Sequence, residues 1–366
     1  MSAKIINIFS AYNYRDITAA NNRIKVYIDV LLSHDYKVNF FTLTQDRTYV
    51  EKKDNLTIYY IYQEEIKKTN FLKRAFQEIK ISYKLIKRAK GIKANFSLFT
   101  IPTIFFLPIG IIRRESKIVD IRDIQWEYLS NDFIKSILKK IMLFSLKFYK
   151  YIVVTNNFEY NYFNNFGFSS IIIYNGIEKS KFEKIISLDY KLKNEVTYIG
   201  NIGIAQNIMT LVKVAEQLPG IKFNIIGDGA EFHKIQKYID ERDIKNINLT
   251  GALQWEKILE YYMNSKILFA QLDSNFKSAI PSKLYEYAST GLPIVYGGEG
   301  EAVELLKKLE NSYIFSPGDI KKCKEYIIKI LNKNIGISLN NRKFIKNNFI
   351  REDNAEKLIS FIEGEL

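Results

Sequence analysis

Between residues 276 and 295 the chain reads FKSAIPSKLYEYASTGLPIV, and its residue types fall at a spacing that suits a phosphate ligand. Pro281 fits the first turn of a helix, where a missing N–H costs nothing. The amides of Ser282 and Lys283 would then open outward at the positive end of the helix dipole, with the lysine beside them. Such an N-terminus takes an anion, above all a diphosphate. Glu286 lies four residues past Ser282, on the same face and one turn deeper. A carboxylate there can accept hydrogen bonds from two ribose hydroxyls. In isolation, an ordinary capped surface helix with a solvated Glu and Lys gives the same pattern.

Three further segments end predicted strands with polar or glycine-rich turns. YIGNIGIAQNIM at 198–209 sets Gly200 and Gly203 between a strand and a helix, where glycine lets the backbone approach a phosphate. GDGAEF at 227–232 repeats that arrangement, and neither stretch is a full dinucleotide fingerprint. GGEGEAVE at 297–304 combines Gly297, Gly298 and Gly300 with Glu299 and Glu301, acidic residues that also serve as dipole partners at a helix start. In the first half, VDIRDIQWEY at 119–128 carries Asp120, Arg122 and Asp123 out of a strand into a loop, where groups facing a cleft are expected. An Arg–Asp structural ion pair is the alternative for that trio.

The elements that must position these residues alternate in type. Strands are predicted at 4–9, 37–43, 56–62, 95–100, 117–121, 151–155 and 170–174, with helices at 17–33, 70–90, 133–149 and 157–165. The polar stretch 175–194 reads as a linker. The rhythm resumes with strands at 196–199, 221–226, 247–250, 267–271, 292–295 and 312–315, helices between them, and a helical tail over 318–364. This order predicts an α/β fold of two doubly wound parallel-sheet, Rossmann-like domains facing a cleft, with C-terminal helices. The expected domains are 1–180 and 181–366.

Composition narrows the function. The 366 residues are 47% hydrophobic and 26% charged, the balance of a globular chain, and the length fits two domains. A single cysteine, Cys323, excludes an internal disulfide and a cysteine metal cluster. With only His34 and His233, and no D-x-D motif, no metal site is expected. The opening MSAKIINIFS reads as a buried strand, not a secretory signal. FSLFTIPTIFFLPIGII at 96–112 falls short of the roughly 20 residues a spanning helix needs and is broken by prolines, so it reads as a strand, a turn and a short helix. A reducing cytoplasm is the expected compartment.

The net charge of +14 has two readings. Lys, Ile, Asn, Tyr and Phe crowd the chain, as AT-rich codons dictate. A functional basic surface is the other reading. Residues 66–93 carry ten Lys or Arg against Glu78 alone, and 133–150 carry Lys135, Lys139, Lys140, Lys147 and Lys150 among apolar residues. On the first helix Leu72, Phe76, Ile79, Tyr83 and Ile86 form the apolar face, opposite Lys73, Lys80, Lys84, Lys87 and Arg88. Such helices can lie on an anionic membrane or cover a core with solvated lysines outside. No nucleic-acid-binding module is recognised.

Taken in order, YIGNIGIAQNIMTLV, FNIIGDGAEFHKI, NINLTGALQWEKILEYY and AIPSKLYEYASTGLPIVYGGEGEAVELL resemble glycosyltransferase family 4, the retaining GT-B enzymes. The likeness is strongest to transferases of O-antigen and capsule repeats, including the N-acetylfucosamine transferase type. NNRIKVYIDVLLSHDYKVNFFT, VDIRDIQWEY, YIVVTNNFEYNYFNNFGF and IIIYNGIE extend it through the first half. The resemblance implies a metal-independent hexosyl- or N-acetylhexosaminyltransferase with a nucleotide-sugar donor, expected to be a UDP-sugar, and no other cofactor. It implies a lipid-linked saccharide acceptor, reached from the inner face of the cytoplasmic membrane by a peripheral enzyme. The first domain would bind acceptor and the second the donor. The donor set it implies is Gly200, Gly203, Gln206, Gly227, Ser278, Ser282, Lys283, Leu284, Glu286, Gly298 and Glu301. Asp123, Arg122 and Lys283 take the catalytic positions. Glu286 matches the second Glu of the family's E-x7-E motif, while the first falls on Ser278. Asn201 and Gln206 stand near the basic pair that grips the diphosphate. Asn21 and Asn22, before Arg23, replace a Gly-Gly loop, and Asp123 is nearest in pattern to a cleft histidine. A nucleotide-sugar epimerase of the same fold and a basic nucleic-acid-binding protein are the competing classes.

Overall fold

Short β-branched and aromatic runs separated by amphipathic stretches can bury their apolar faces only as sheets covered by helices. The computed structural model, which describes residues 4–16, 18–64, 71–333 and 335–364, resolves this pattern into two units. One runs to Asn175 and takes up the chain again from Arg351; the other spans Gly176–Ile350.

The first unit holds strands β1 (Ile5–Phe9), β2 (Lys37–Thr44), β3 (Tyr49–Lys53), β4 (Leu56–Tyr62), β5 (Phe96–Thr100), β6 (Ser116–Ile121), β7 (Tyr151–Val154) and β8 (Ile171–Ile172). Their order is β3-β4-β2-β1-β5-β6-β7-β8. All pair in parallel except β3, which is antiparallel to β4. No strand was predicted at β3: YVEKK is mostly exposed and shows no apolar alternation. It is an edge strand, turned back by Asp54 at φ +49°. Helices α1 (Ala19–Ser33), α2 (Phe71–Arg88), α3 (Phe106–Gly110), α4 (Asp132–Leu146) and α5 (Asn157–Asn165) cover the sheet. Ile81, Leu85, Met142 and Leu146, from α2 and α4, close one core against Phe9, Phe41, Phe99 and Val119.

Asp120, the last buried polar group of β6, does not join Arg122. Its carboxylate accepts from Arg23 of α1, Nη2 to Oδ1 at 2.8 Å and Nε to both oxygens at 3.1 Å. Tyr27 donates to it at 3.1 Å, and Arg23 Nη1 donates to Ile173 O at 2.8 Å. Arg23 and Asp120 are 2% and 0% exposed, so this pair ties α1 to the sheet within the core.

The second unit holds β9 (Glu195–Ile199), β10 (Lys222–Ile226), β11 (Ile247–Leu249), β12 (Ile267–Gln271), β13 (Ile294–Gly297) and β14 (Ser312–Phe315), all parallel, in the order β11-β10-β9-β12-β13-β14. Strand order reverses between β9 and β12, which opens a crevice at their carboxyl ends. Its helices are α6 (Lys179–Ile186), α7 (Met209–Glu216), α8 (Phe232–Glu241), α9 (Trp255–Asn264), α10 (Lys283–Thr290), α11 (Glu301–Leu306), α12 (Ile320–Leu331) and α13 (Leu339–Asn348). Part of the stretch expected as a linker is thus a helix. α6 buries Phe182 and Ile185, three residues apart on one face, and packs on α10. The last helix, α14 (Arg351–Glu363), returns to the first unit and packs along α1.

The buried pair sets a stability test. Asp120→Asn strips the charge from one partner and leaves the Arg23 guanidinium uncompensated. The expected loss is about 3–5 kcal/mol by urea denaturation. The double variant Arg23→Met/Asp120→Leu should lose less, because no lone charge stays buried.

Candidate functional site

The carboxyl ends of β9, β10, β12 and β13 gather residues that the sequence resemblance leads one to expect at a donor site: Gly200, Gly227, Lys283 and Gly298. Two strand-end loops meet there backbone to backbone. Gly200 and Gly227 adopt φ +140° and +147°, and a Cβ on Gly227 would fall 1.8 Å from Gly200 O. Gly200 N donates to Ile226 O and Ile202 N to Asp228 O, both at 2.8 Å. Gly227 is therefore glycine to admit another loop. Gly203 lies against two side chains: a Cβ there would stand 2.6 Å from Asn201 Nδ2 and 2.8 Å from Gln206 Oε1. Those two groups bond each other, Asn201 Nδ2 donating to Gln206 Oε1 at 3.1 Å.

Gln271, at the end of β12, fastens this loop from below. It donates to Asn207 O at 2.9 Å and Thr210 Oγ1 at 3.1 Å, and its Oε1 accepts from Gly318 N at 3.2 Å. Asp273 N also donates to Ala205 O at 2.8 Å. Sequence reading missed Gln271 because it sits inside an apolar strand and belongs to no motif.

Helix α10 begins at Lys283, two residues later than Pro281 led us to expect. Ser282 takes the N-cap place in αR geometry without a side-chain cap. The turn closes through Leu284 N to Pro281 O at 2.9 Å. Leu284 is fully buried, so its side chain belongs to the core. Lys283 turns back across Gly200: a Cβ on that glycine would meet the lysine Nζ at 2.5 Å. The Nζ stands 3.9 Å from the centroid of the Tyr198 ring. It is enclosed and has no hydrogen-bond partner among the described residues. Burial pushes the ammonium down to about 7, against the opposing pull of Glu286.

One turn on, Glu286 Oε2 accepts from Tyr262 Oη at 3.1 Å and Trp255 Nε1 at 3.4 Å. Lys181 Nζ of α6 lies 3.8 Å from Oε1, beyond hydrogen-bond reach, and 5.4 Å from the Trp255 ring centroid. Oε1 thus keeps acceptor capacity, while Oε2 is held by two donors that fix the rotamer. Lys181 was hidden in the expected linker, and Trp255 and Tyr262 fall within NINLTGALQWEKILEYY without having been singled out as site residues.

Beside β13, Gly300 at φ +73° lets Lys277 O approach, and Glu301 N donates to that oxygen at 2.8 Å. Lys277 pairs with Glu299 at 2.7 Å. Ser278 is buried in the same turn. Gly298 N donates to Phe315 O at 3.1 Å, and the glycine rests on the Tyr296 ring.

Arg122 and Asp123 belong to the first unit. Arg122 Nε donates to Ile101 O at 2.9 Å, its guanidinium stands 5.8 Å from the Tyr12 ring centroid, and Nη2 is enclosed without a partner. Burial raises the Asp123 carboxyl above its usual range, with Arg122 opposing. Asp123 in turn acts on a second acid, unseen in the sequence: buried Glu159 of α5 is pushed up to about 8 by burial, and Asp123 adds to the rise. Thr155 N and Oγ1 hold Glu159 at 2.8 and 2.9 Å. A cavity of about 270 Å³ adjoins this loop, lined by Arg74, Glu78, Ile104, Phe105, Gln125 and Tyr128 among others. Among the described residues no three His, Cys, Asp or Glu side chains converge as a metal site.

Residues 179–351 match the family model for glycosyl transferases group 1. No curated protein matches the sequence. Among solved structures, sucrose-phosphate synthase from Thermosynechococcus elongatus superposes with a TM-score of 0.76 at 14% identity, over 99% of this chain and 98% of that one. Anabaena HepE in complex with UDP gives 0.70 at 14% identity, over 99% and 100%. The apo lipopolysaccharide outer core galactosyltransferase WaaB gives 0.64 at 14% identity, over 99% and 100%. The two parallel-sheet units are those of the GT-B fold, and the second of them carries the stretch similar to glycosyl transferases group 1.

Proposed function

We propose that this chain is a retaining glycosyltransferase that moves a hexosyl or N-acetylhexosaminyl group from a UDP-sugar to a lipid-linked glycan in surface polysaccharide assembly. The observation that carries the donor half is the enclosed, unpartnered Lys283 Nζ beside Gly200, one turn from the open oxygen of Glu286. A nucleoside diphosphate satisfies both: its diphosphate meets the ammonium and the start of α10, and its ribose hydroxyls donate to Glu286. The lipid-linked acceptor rests on the sequence resemblance to O-antigen and capsule transferases. The unit ending at Asn175 takes the acceptor, with Arg122 and Asp123 as its polar contacts. Such an acceptor sets the enzyme on the inner, anionic face of the cytoplasmic membrane, as a peripheral protein.

In the reaction the bond between the anomeric carbon and the phosphate oxygen breaks as the acceptor oxygen bonds that carbon on the same face. The acceptor proton passes to the departing phosphate oxygen, and UDP leaves. Lys283 and the amides of the Gly203 loop stabilise the charge that grows on the diphosphate. The direct test is mass spectrometry and anomeric NMR of products from a panel of UDP-sugars with lipid-linked acceptors. Products of inverted configuration, or turnover of UDP-sugar to an epimer without acceptor, would overturn the reading.

Three outcomes are expected. Glu286→Ala should lower kcat/KM for donor by about 10- to 150-fold, the equivalent of hydrogen bonds to a charged acceptor worth about 1.5–3 kcal/mol, with an unchanged thermal melt. Wild-type kinetics would remove Glu286 from the ribose.

The second concerns pH. Free Lys283 loses its proton as pH rises through about 7. A bound diphosphate favours the charged form, so binding above that pH takes up a proton. UDP-sugar affinity should be flat below pH 7 and fall towards pH 9, by as much as tenfold per unit. Calorimetric titration checks this, and Lys283→Arg, charged throughout, should flatten the curve.

Third, turnover should persist in excess EDTA, since the sequence supplies no D-x-D pair. Loss on chelation with recovery on Mg²⁺ or Mn²⁺ would show that an ion takes part.

A further inference from the structure

Helix α4 carries apolar residues on two sides. Leu138, Met142 and Leu146 face the core. Phe133, Ile137, Ile141 and Phe144, with Phe148 in the turn that follows, are 74%, 43%, 42%, 59% and 47% exposed. At 100° per residue these five fall within an arc of about 80°. They make a continuous outward stripe, capped by the Phe144 and Phe148 rings at 5.6 Å between centroids. A surface helix needs one apolar face, and this one has a second with nothing on it among the described residues.

The charges around the stripe say what would cover it. Lys140 and Lys147 flank one edge and Lys150 follows, all exposed and without an ion pair among the described residues. Lys135 and Lys139 point away, held by Glu127 at 3.2 and 2.7 Å. Asp132 is the one acidic residue on α4. A second copy of this face would set lysine against lysine. An anionic bilayer offers phosphates at the height of the lysines and acyl chains beneath them.

α2 also carries outward apolar residues. Residues 66–70 lie outside the described residues. Beyond them the buried face is Ile81, Leu85, Ile86 and Ala89, while Phe76, Ile79 and Tyr83 point outward at 68%, 40% and 52% exposure. Lys80 and Lys87 stand among them. Lys84 donates to Tyr62 O, and Arg88 stands 4.9 Å from the Tyr59 ring centroid, so those two charges are engaged within the unit. α3 packs against both α2 and α4. No helix of the described residues is long and apolar enough to cross a membrane.

We propose that α4 is a bilayer-insertion helix. It lies in the plane of an anionic membrane with Phe133, Ile137, Ile141, Phe144 and Phe148 below the headgroups and Lys140, Lys147 and Lys150 at the phosphates. This deepens the membrane reading above by naming the surface and the mode, insertion rather than charge alone, and it does not depend on the donor site.

The test is flotation of the full chain with vesicles of phosphatidylcholine and phosphatidylglycerol, against phosphatidylcholine alone. Wild type should float with the anionic vesicles. Phe133→Ser/Phe144→Ser/Phe148→Ser should lower partitioning at least about tenfold even at low salt, with an unchanged circular dichroism melt. Lys140→Gln/Lys147→Gln/Lys150→Gln should erase the preference for anionic lipid. As a second measurement, Phe144→Trp should shift its emission to the blue on adding anionic vesicles. Equal flotation of wild type and the serine variant, no flotation of either, or an unshifted tryptophan would overturn the proposal. So would a wild-type dimer in lipid-free sedimentation that the serine variant turns into a monomer. UDP-sugar binding by the serine variant reads the donor site separately. If no UDP-sugar binds to wild type or variant, the donor reading fails and the flotation result stands.

Discussion

Gly200 is pressed from two sides, and the arrangement of the donor-side groups follows from that. Gly227 and its loop approach Gly200 O on one side, and Lys283 crosses over on the other. A Cβ on Gly200 would push the ammonium out, and a Cβ on Gly227 would drive the β9 and β10 loops apart. Either change would misplace the cation relative to the start of α10. The lysine's position is therefore set by backbone contacts rather than by a charge partner. With a tyrosine ring beneath it and no hydrogen-bond acceptor in reach, the ammonium is poorly solvated. A fold optimised for stability alone would pair such a group; leaving it unpaired is the kind of local conflict that functional sites carry.

Glu286 shows the opposite arrangement. Tyr262 and Trp255 from α9 occupy one carboxylate oxygen, and Lys181 from α6 balances the charge without bonding the other. Two helices thus bracket one side chain of a third, with one oxygen left to accept. Such supporting contacts fix geometry before a ligand arrives, so less ordering is lost on binding. In the first unit Asp123, Glu159 and Arg122 make a different environment. Two carboxyls are raised by burial beside a guanidinium with an idle N–H. Glu159, raised to about 8, can exchange a proton near neutral pH, which a solvated carboxylate cannot.

What the sequence disclosed follows from the range of the interactions. The βαβ rhythm depends on local periodicity, and nearly every parallel strand was legible from it. Lys283 and Glu286 were legible as well, since one helical turn sets their spacing. β3 was not, because an exposed edge strand carries no alternation. α6 was not, because two apolar residues in a lysine-rich stretch look like a linker until α10 is there to receive them, and Lys181 went unseen with it. An Arg–Asp ion pair was an alternative for the trio at Asp120, but which arginine fills it was hidden for the same reason. Arg122 is two residues away in the chain, whereas Arg23 is brought to Asp120 only by packing α1 on the sheet. The outward face of α2 was inverted, because a helical wheel finds an apolar side without telling core from surface.

The basic excess can now be divided by position. AT-rich codons would supply lysine, isoleucine and phenylalanine throughout, and much of the lysine is indeed spent locally. Lys234 and Lys307 pair with glutamates three residues away, and Lys135 and Lys139 with Glu127. Compositional bias, however, has no angular preference. It can enrich α4 in apolar residues, but it cannot place five of them in one arc on the side away from the core. Nor can it set the unpaired lysines along the edge of that arc while the paired ones lie elsewhere. Exposed apolar area is unfavourable in water for every copy of the chain. A stripe kept open at that cost, and fringed by one sign of charge, has the form of a surface fitted to an apolar phase beneath an anionic layer.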